Sequence, residues 1–198
     1  MRNIVRGIDL YKKIADLKDK ILLDVGTGPY AAWSAAYFLA LFEMGENPKK
    51  FAENVHAIDT ETSFLIPEEK VQKHGDQDTP ITFLHADAKN SPFNKDSFDI
   101  IALGNILNLY LCNSKFEKII KESRRVLRSN GYLIGKATLY GWADQLKYRV
   151  FYGPRIIQIK KYETSIGKYF RFLEKGKTSF SDSRNPLHKA LYFLAQKK

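Results

Sequence analysis

The sequence is poor in the residues that make disulfides and metal sites. Its only cysteine is Cys112, so an intramolecular disulfide is excluded. The four histidines, at positions 56, 74, 85 and 188, lack the paired ligand spacing of a structural zinc site. We therefore expect a fold that is stabilised by its apolar core and that contains no metal site.

Long apolar stretches are also missing. The most apolar window, Ala31 to Phe42, is about twelve residues long, whereas a bilayer-spanning helix needs roughly twenty. The first twenty residues lack the basic-then-apolar pattern of a secretory leader, so we expect a cytoplasmic protein. With 44% hydrophobic residues, the chain can bury one sizeable core. We expect a single domain over residues 1–198, in which residues 1–19 form an N-terminal helical extension.

Charge is distributed unevenly along the chain, whose net charge is +10. Residues 115–198 carry 20 lysines and arginines and 6 acidic residues, whereas residues 1–114 carry 12 lysines and arginines and 16 acidic residues. The basic half interleaves aromatic and cationic residues, as in Lys168-Tyr169-Phe170-Arg171. Such a surface can bind phosphates and stack bases, but the same composition is also typical of a solvated face over core strands. RNA or another anionic partner is therefore one of two interpretations.

Short apolar runs alternate with helical stretches along the chain, which predicts a mainly parallel sheet covered by helices. The predicted strands are Lys20–Val25, Asn54–Ile58, Ile81–His85, Phe98–Leu103 and Tyr132–Lys136. Three helices are predicted. The first is Leu10–Lys20, and the third is Phe116–Leu127. The second begins at Pro29, continues through Ala31, Ala35, Phe38 and Phe42, and is ended by Gly45 and Pro48. The reversal Asn130-Gly131 is expected to end the last of these helices.

The first predicted strand runs directly into a glycine turn, Gly26-Thr27-Gly28-Pro29. Glycines let the backbone approach a ligand without a Cβ in the way, and the following helix N-terminus offers free N–H groups and a partial positive charge. Carboxylates accompany the first three strands: Asp24 precedes the turn, Asp59 ends the second strand and Asp87 follows the third. This pattern predicts a ligand site around the turn.

This order of motifs resembles the class I S-adenosylmethionine (SAM)-dependent methyltransferases. The run Ile21-Leu22-Leu23-Asp24-Val25-Gly26-Thr27-Gly28-Pro29 is similar to their first motif, and Asp96–Leu103 is similar to their fourth strand. Residues Ser123–Ile134 resemble the helix-turn-strand that the family often writes R-V-L-K-P-G-G, and Lys189–Gln196 resembles its last antiparallel strand. The resemblance covers roughly residues 20–196. It implies a Rossmann-like α/β fold, a mainly parallel sheet with helices on both faces and an antiparallel C-terminal strand.

The resemblance also implies a site for SAM. Asp24 would lie near the cationic methionine end of the cofactor, Asp59 would accept hydrogen bonds from the ribose hydroxyls, and Asp87 would face the adenine amino group. Gly104 and Asn105 fall at the rim of the reactive end, and no residue is assigned a catalytic role. The implied cofactor-binding residues are Asp24, Gly26, Thr27, Gly28, Asp59, Thr60, Asp87, Ala88 and Asn105.

The chain departs from the family pattern in two places. Tyr30 occupies the third position of the expected glycine series, and the long interval between Asp24 and Asp59 requires an extended first helix or following loop. The region after the fourth strand has no Asn-Pro-Pro-Tyr box of amine methylases and no Pro-Cys pair of cytosine-carbon methylases. The sequence therefore predicts an enzyme of the EC 2.1.1 type without identifying its methyl acceptor.

Two other functions fit part of the sequence. Gly26-x-Gly28-x-x-Ala31 satisfies the dinucleotide fingerprint, so Asp59 could bind the ribose of NAD in an NAD(P)-dependent oxidoreductase. Asp24 weighs against this function, because dinucleotide folds usually place an apolar residue before the turn. A methyltransferase-like RNA-binding module that has lost catalysis is the third candidate, since Tyr30 could crowd the cofactor.

Overall fold

The structure is a computed structural model that describes residues 2–28, 31–60, 81–104, 113–139, 159–182 and 185–198. The strands within these stretches are β1 (Leu22–Val25), β2 (Val55–Asp59), β3 (Thr82–His85), β4 (Phe98–Leu103), β5 (Leu127–Leu139), β6 (Phe170–Asp182) and β7 (Asn185–Lys197). The α-helices are α1 (Arg2–Tyr11), α2 (Ala32–Glu43), α3 (Asn113–Val126) and α4 (Ile159–Gly167). Short 3-10 helices cover Leu17–Asp19 and Pro48–Asn54.

The seven strands form one sheet in the order β3-β2-β1-β4-β5-β7-β6. Strand β1 pairs in parallel with β2 and β4, β2 pairs in parallel with β3, and β4 with β5. Strand β7 lies antiparallel between β5 and β6. This topology confirms the Rossmann-like α/β fold and the antiparallel C-terminal strand.

Helices cover the sheet on both faces. On one face, α1 and α2 contribute Tyr11 and Tyr37 to an apolar layer that includes alternate residues of the central strands. On the opposite face, α3 and α4 contribute Ile119 and Tyr162 to a second layer. Because successive strand residues point to opposite faces, β4 is buried on both sides, as a strand in a covered parallel sheet must be.

The first helix begins and ends earlier than the sequence predicts. The predicted helix Leu10–Lys20 is wrong, because α1 spans Arg2–Tyr11 and the chain then turns into a 3-10 helix. Asp16, with a φ of 52°, adopts a left-handed conformation that a continuous helix does not allow. Tertiary contacts hold this segment, since the Tyr37 hydroxyl donates to the carbonyl oxygens of Leu17 and Lys20 at 3.1 and 2.9 Å. The assignment of residues 1–19 as an extension stays a prediction.

Helix α2 lies where the sequence predicts it. It ends at Glu43, before Gly45 with a φ of 83°. Phe42, near the end of the helix, is 62% exposed. The helix is apolar almost all round, so the spacing of its apolar residues does not select a face. The buried residues are Trp33, Ser34, Ala36, Tyr37, Ala40 and Leu41.

Strands β2, β3 and β4 match their predicted positions within a residue or two, and β4 matches at both ends. The long interval between Asp24 and Asp59 contains α2 and the 3-10 helix Pro48–Asn54, as an extended connection requires. In the stretches that the structure describes, no helix is both long enough and apolar enough to span a bilayer.

Strand β5 begins earlier than predicted. Helix α3 ends at Val126, and Leu127 already pairs with Phe98 of β4. The predicted reversal at Asn130-Gly131 is therefore not a helix end, and it falls where the pairing register of β4 and β5 shifts. A Cβ on Gly131 would lie only 2.9 Å from the Asp99 carbonyl oxygen, so close backbone approach explains the glycine here.

Candidate active site

The carboxyl ends of the parallel strands meet at one edge of the sheet, where ligands bind in open α/β folds. The turn Gly26–Gly28, here called the glycine corner, lies at this edge after β1. Gly26 and Gly28 have φ values of 67° and 60°, a left-handed conformation that glycine adopts without steric cost. The backbone N–H groups of Gly26 and Thr27 donate to the Ile58 carbonyl oxygen at 2.8 and 3.3 Å. The corner is thereby fixed against the end of β2.

Asp59 binds the glycine corner directly. The backbone N–H of Gly28 donates to Asp59 Oδ2 at 3.0 Å, so the acid that ends β2 and the turn that follows β1 form one unit. A Cβ built on Gly28 would meet no atom within 4 Å among the described residues, its chain neighbours apart. The space beside the corner is therefore open to a ligand, as the glycine turn predicts.

Asp24 caps the helix that follows the corner. Helix α2 begins after Ala31, whose side chain cannot cap it, and the Asp24 carboxylate takes that role from β1. Asp24 Oδ2 accepts hydrogen bonds from the Ser34 backbone N–H at 3.0 Å, the Ser34 hydroxyl at 2.8 Å and the Thr27 hydroxyl at 3.3 Å. An anion at this position satisfies an N–H in the first turn of the helix and complements the helix dipole.

The other oxygen of Asp24 has a different environment. Asp24 Oδ1 is buried and has no hydrogen-bond partner among the residues that the structure describes. The pKa of Asp24 is raised to about 6, mainly by burial and also by the nearby charge of Asp59. The hydrogen bonds from Ser34 and Thr27 lower this pKa but do not outweigh burial. A buried carboxylate oxygen without a donor is destabilising, and a cationic ligand group would relieve that cost.

Thr60 and Asp59 are joined to the end of β3. His85 lies opposite Asp59 in the strand register, and its Nε2 is 3.1 Å from the Thr60 carbonyl oxygen. The backbone N–H of Ala86 donates to the Asp59 carbonyl oxygen at 3.0 Å. These contacts place the residues that follow β2 and β3 side by side. The Thr60 side chain itself is exposed.

Asp87 lies at the same edge, and its carboxylate is engaged by a neighbouring lysine. Asp87 Oδ1 accepts the Lys89 backbone N–H at 2.9 Å, and Oδ2 lies 2.9 Å from Lys89 Nζ. Partial burial alone would raise the pKa of Asp87, but the hydrogen bonds and charge of Lys89 outweigh it and hold the pKa below its usual value. Ala88, beside it, is 8% exposed.

The structure thus brings Asp24, Gly26, Thr27, Gly28 and Asp59 into direct contact or close approach. Thr60, Asp87 and Ala88 follow on the adjacent strands, whereas Asn105, like Pro29 and Tyr30, lies outside the described residues. The roles of these residues in binding stay predictions.

Two residues at this edge were missed by the sequence interpretation. Trp33 of α2 packs on Gly104, where a Cβ would lie 3.2 Å from the indole Cδ1. Lys136 of β5 is 5% exposed. The signals were a glycine directly after the apolar strand β4 and a lysine inside the apolar run of β5. Among the described residues, no three His, Cys, Asp or Glu side chains are grouped so that they could hold a metal ion.

The sequence model of the methyltransferase domain family matches residues 23–135, which span both the glycine corner and β5. The match covers more than half of the chain, so the chain belongs to this family, as a member of the class I SAM-dependent methyltransferases. Because this class of enzymes uses SAM, the prediction that SAM is the cofactor is confirmed. No curated protein sequence matches the chain.

Solved structures with the same fold include several methyltransferases. SAM-dependent methyltransferases from Methanosarcina mazei are 19% identical, with 91% of this chain and 93% of that chain covered at a TM-score of 0.66. The N-methyltransferase NodS from Bradyrhizobium japonicum is 12% identical, with 99% and 94% covered at a TM-score of 0.65. Geranyl diphosphate methyltransferase in complex with SAM is 11% identical, with 100% and 85% covered at a TM-score of 0.67.

The topology also bears on the oxidoreductase alternative. Dinucleotide-binding folds have the strand order 3-2-1-4-5-6 in a parallel sheet. Here an antiparallel β7 separates β5 from β6, and the first acid, Asp24, is buried as a helix cap. The family and the fold together favour methyl transfer over NAD(P)-dependent oxidation.

Proposed function

We propose that the protein transfers a methyl group from SAM to an acceptor bound beside the carboxyl ends of β4 and β5. The proposed cofactor site comprises Asp24, Gly26, Thr27, Gly28, Asp59, Thr60, Asp87, Ala88 and Asn105. The observation that carries the proposal is the contact between Gly28 and Asp59, because it joins a strand-end acid to a glycine corner with open space beside it.

The buried acid fits the cofactor chemically. SAM presents an ammonium group at its methionine end, and Asp24 Oδ1 is a buried acceptor without a donor in the described part of the chain. The second oxygen of Asp24 is fixed by Ser34 and Thr27, which holds the carboxylate in one orientation. Because Asp24 is 0% exposed, the groups that cover Oδ1 must move aside when the ammonium binds.

SAM supplies an electrophilic methyl carbon on a positively charged sulfur when it is bound. The protein contributes mainly the alignment of the acceptor with that carbon, and orientation can supply up to roughly 7–11 kcal/mol of the barrier reduction. In this chain the Trp33 indole packs on Gly104 at the sheet edge where the acceptor would be aligned.

Replacement of Asp59 by alanine is expected to weaken SAM binding by at least tenfold. The substitution removes the acceptor of the Gly28 N–H and the group assigned to the ribose hydroxyls, and a hydrogen bond to a charged group contributes about 1.5–3 kcal/mol. Isothermal titration calorimetry with SAM measures the effect. Glu53→Ala is the matched control, because Glu53 is an exposed acid at the opposite end of β2. Unchanged affinity in Asp59→Ala would contradict the proposed ribose contact.

We further propose that an anionic partner, RNA or another acidic molecule, contacts the basic half of the chain. The supporting feature is a cationic cluster of Arg124, Lys168 and Tyr169, in which both cations lie over the tyrosine ring, at 5.6 and 5.3 Å from its centroid. This cluster lies where β5 and β6 begin, at the edge opposite the glycine corner. A partner bound there would leave the proposed cofactor site accessible.

Binding of a fluorescein-labelled single-stranded RNA is therefore expected to fall steeply as the salt concentration rises, because phosphate contacts release counterions. Fluorescence anisotropy between 50 and 200 mM salt, roughly the range over which such effects are large, measures the slope. Arg124→Ala combined with Lys168→Ala should reduce the slope, and saturating SAH, the demethylated product of SAM, should leave it unchanged. A flat salt response would remove the electrostatic basis for a nucleic-acid partner.

Catalysis is tested separately from binding. Tritiated-methyl transfer from SAM into the RNA, protein and small-molecule fractions of a cell extract identifies the acceptor class. SAM binding without transfer into any fraction would instead support a methyltransferase-like module that has lost catalysis.

A further inference from the structure

Two charged residues are buried in the described part of the chain, Asp24 at 0% and Lys136 at 5% exposure. Asp24 has a structural explanation, because it caps α2. Lys136 lies on β5, one residue beyond the last residue that pairs with β4. Burial disfavours the charged form of a lysine, and a buried ionisable group beside a ligand-binding edge is a candidate functional residue.

The strand register places Lys136 at the ligand-binding edge. Leu103 of β4 pairs with Gly135, so the next residues along these strands, Gly104 and Lys136, are neighbours. Gly104 in turn adjoins the glycine corner, since its N–H donates to the Val25 carbonyl oxygen and a Cβ on it would lie 3.3 Å from the Gly26 carbonyl oxygen. Lys136 is therefore two strand spacings, about 10 Å, from the corner.

The side chain of Lys136 belongs to the same face as α2. Ile134, two residues earlier on β5, packs in the apolar layer with Trp33, and residues two apart on a strand share a face. Across the sheet Lys136 pairs with Tyr192 of β7. The four-carbon stem of lysine is long enough to bring the amine from this position towards the corner.

Charged and titratable groups on this face are few in the described stretches. They include Asp24 of β1, Asp59 of β2, Tyr132 of β5, Glu174 of β6, Tyr192 of β7, Tyr11 of α1 and Tyr37 of α2. Burial raises the pKa values of Tyr11 and Tyr37, so both stay neutral, and burial lowers the pKa of Lys136 to about 8. A substantial fraction of the lysine is thus the neutral amine at mildly alkaline pH.

We propose that Lys136 is a catalytic residue that accepts the proton of the methyl acceptor. The inference rests on the proposed methyl transfer. As the acceptor atom bonds to the methyl carbon, the electron pair of the carbon–sulfur bond passes to sulfur, the acceptor proton moves to Lys136 Nζ, and the ammonium later releases it to water. The acceptor is accordingly an amine or hydroxyl compound, whose methylation requires loss of a proton.

The first test measures the ionisation of Lys136 rather than activity. Protein labelled with 13C at lysine Cε is titrated by NMR, and the Lys136 signal is assigned by its absence in Lys136→Met. SAH is neutral at sulfur, whereas sinefungin carries an amine in place of the methyl sulfonium. If Lys136 faces the reactive end, sinefungin should lower its pKa by about one unit more than SAH does, through charge repulsion.

The outcomes separate the two proposals. Binding of both ligands without any change in the Lys136 titration overturns the catalytic role and leaves the cofactor site intact. Failure of both ligands to bind overturns the proposed function, and the role of Lys136 fails with it. A larger pKa change with sinefungin than with SAH supports both.

A second test distinguishes catalysis from packing. Lys136→Met keeps a long side chain without the amine, so SAH affinity should stay within twofold of wild type, whereas tritiated-methyl transfer from SAM into a metabolite extract should fall by at least about 100-fold. Lys136→Arg, which cannot lose its proton at these pH values, should also be inactive. Full transfer by Lys136→Met would assign the lysine a packing role and overturn the proposal.

Discussion

Replacement of Gly26 by valine is expected to abolish SAM binding while the sheet stays folded. Gly26 has a φ of 67°, where a non-glycine residue costs about 1–2 kcal/mol and a β-branched side chain is least tolerated. The isopropyl group would also stand in the glycine corner, where the backbone must approach the ligand. Calorimetry with SAM and SAH measures binding, and circular dichroism with urea unfolding measures folding and stability.

A matched variant separates backbone strain from site geometry. Gly45 also has a left-handed conformation, with a φ of 83°, and a Cβ there would meet no atom of the described residues within 4 Å, its chain neighbours apart. It follows α2, at the end of the helix away from the glycine corner. Gly45→Val should therefore lose comparable stability and keep its affinity for SAH. Retained SAM binding in Gly26→Val would place the pocket elsewhere in the fold.

The parts of the site that the sequence predicts are those encoded locally. Asp59 and Asp87 each follow a short apolar run, and the glycine turn follows a third run directly, so strand ends and ligand groups are adjacent in sequence. Parallel pairing then brings these ends to one edge without further information. This is why β2, β3 and β4, with their terminal residues, were predicted closely.

The parts that were missed depend on contacts between distant residues. The helix-capping role of Asp24 requires Ser34, ten residues later, and the turn before β1 is held by Tyr37. The burial of Lys136 depends on the register of three strands. Strand β6 was not predicted, because its sequence is strongly charged and its pairing with β7 determines its conformation. Patterns of single residues do not contain this information.

Asp24 joins the stability of the fold to the function of the site. Its pKa of about 6 lies above the value near 3.9 of an exposed aspartate, so between these pH values the folded state binds more protons than the unfolded state. Stability contributed by the protonated acid is therefore present at low pH and is lost as pH rises through about 6. One unit of pKa corresponds to about 1.4 kcal/mol, so the ionised carboxylate costs the ligand-free fold about 3 kcal/mol at neutral pH.

Asp24→Asn is accordingly expected to make the ligand-free protein more stable and the cofactor site weaker. The amide oxygen can still accept from Ser34 and Thr27, and the charge is gone. We expect a gain of about 1–3 kcal/mol in the free energy of unfolding at pH 7.5, reduced by any cost of burying the amide N–H groups. The gain should shrink as pH falls towards 4, where Asp24 of the wild type is protonated.

Binding should change in the opposite direction, because the ammonium of the cofactor loses its charged partner. A charge-assisted hydrogen bond contributes about 1.5–3 kcal/mol, so SAH affinity should fall roughly ten- to hundredfold in Asp24→Asn. Wild-type affinity should fall as the pH drops below about 6, whereas the variant should show no such transition. Urea unfolding and calorimetry over pH 5 to 8 measure both effects, with Asp99→Asn, an acid paired with Arg128 near the opposite edge, as the control. If Asp24→Asn destabilises the protein yet binds SAH as tightly as the wild type, Asp24 serves only as a helix cap, and the ammonium is bound by other groups.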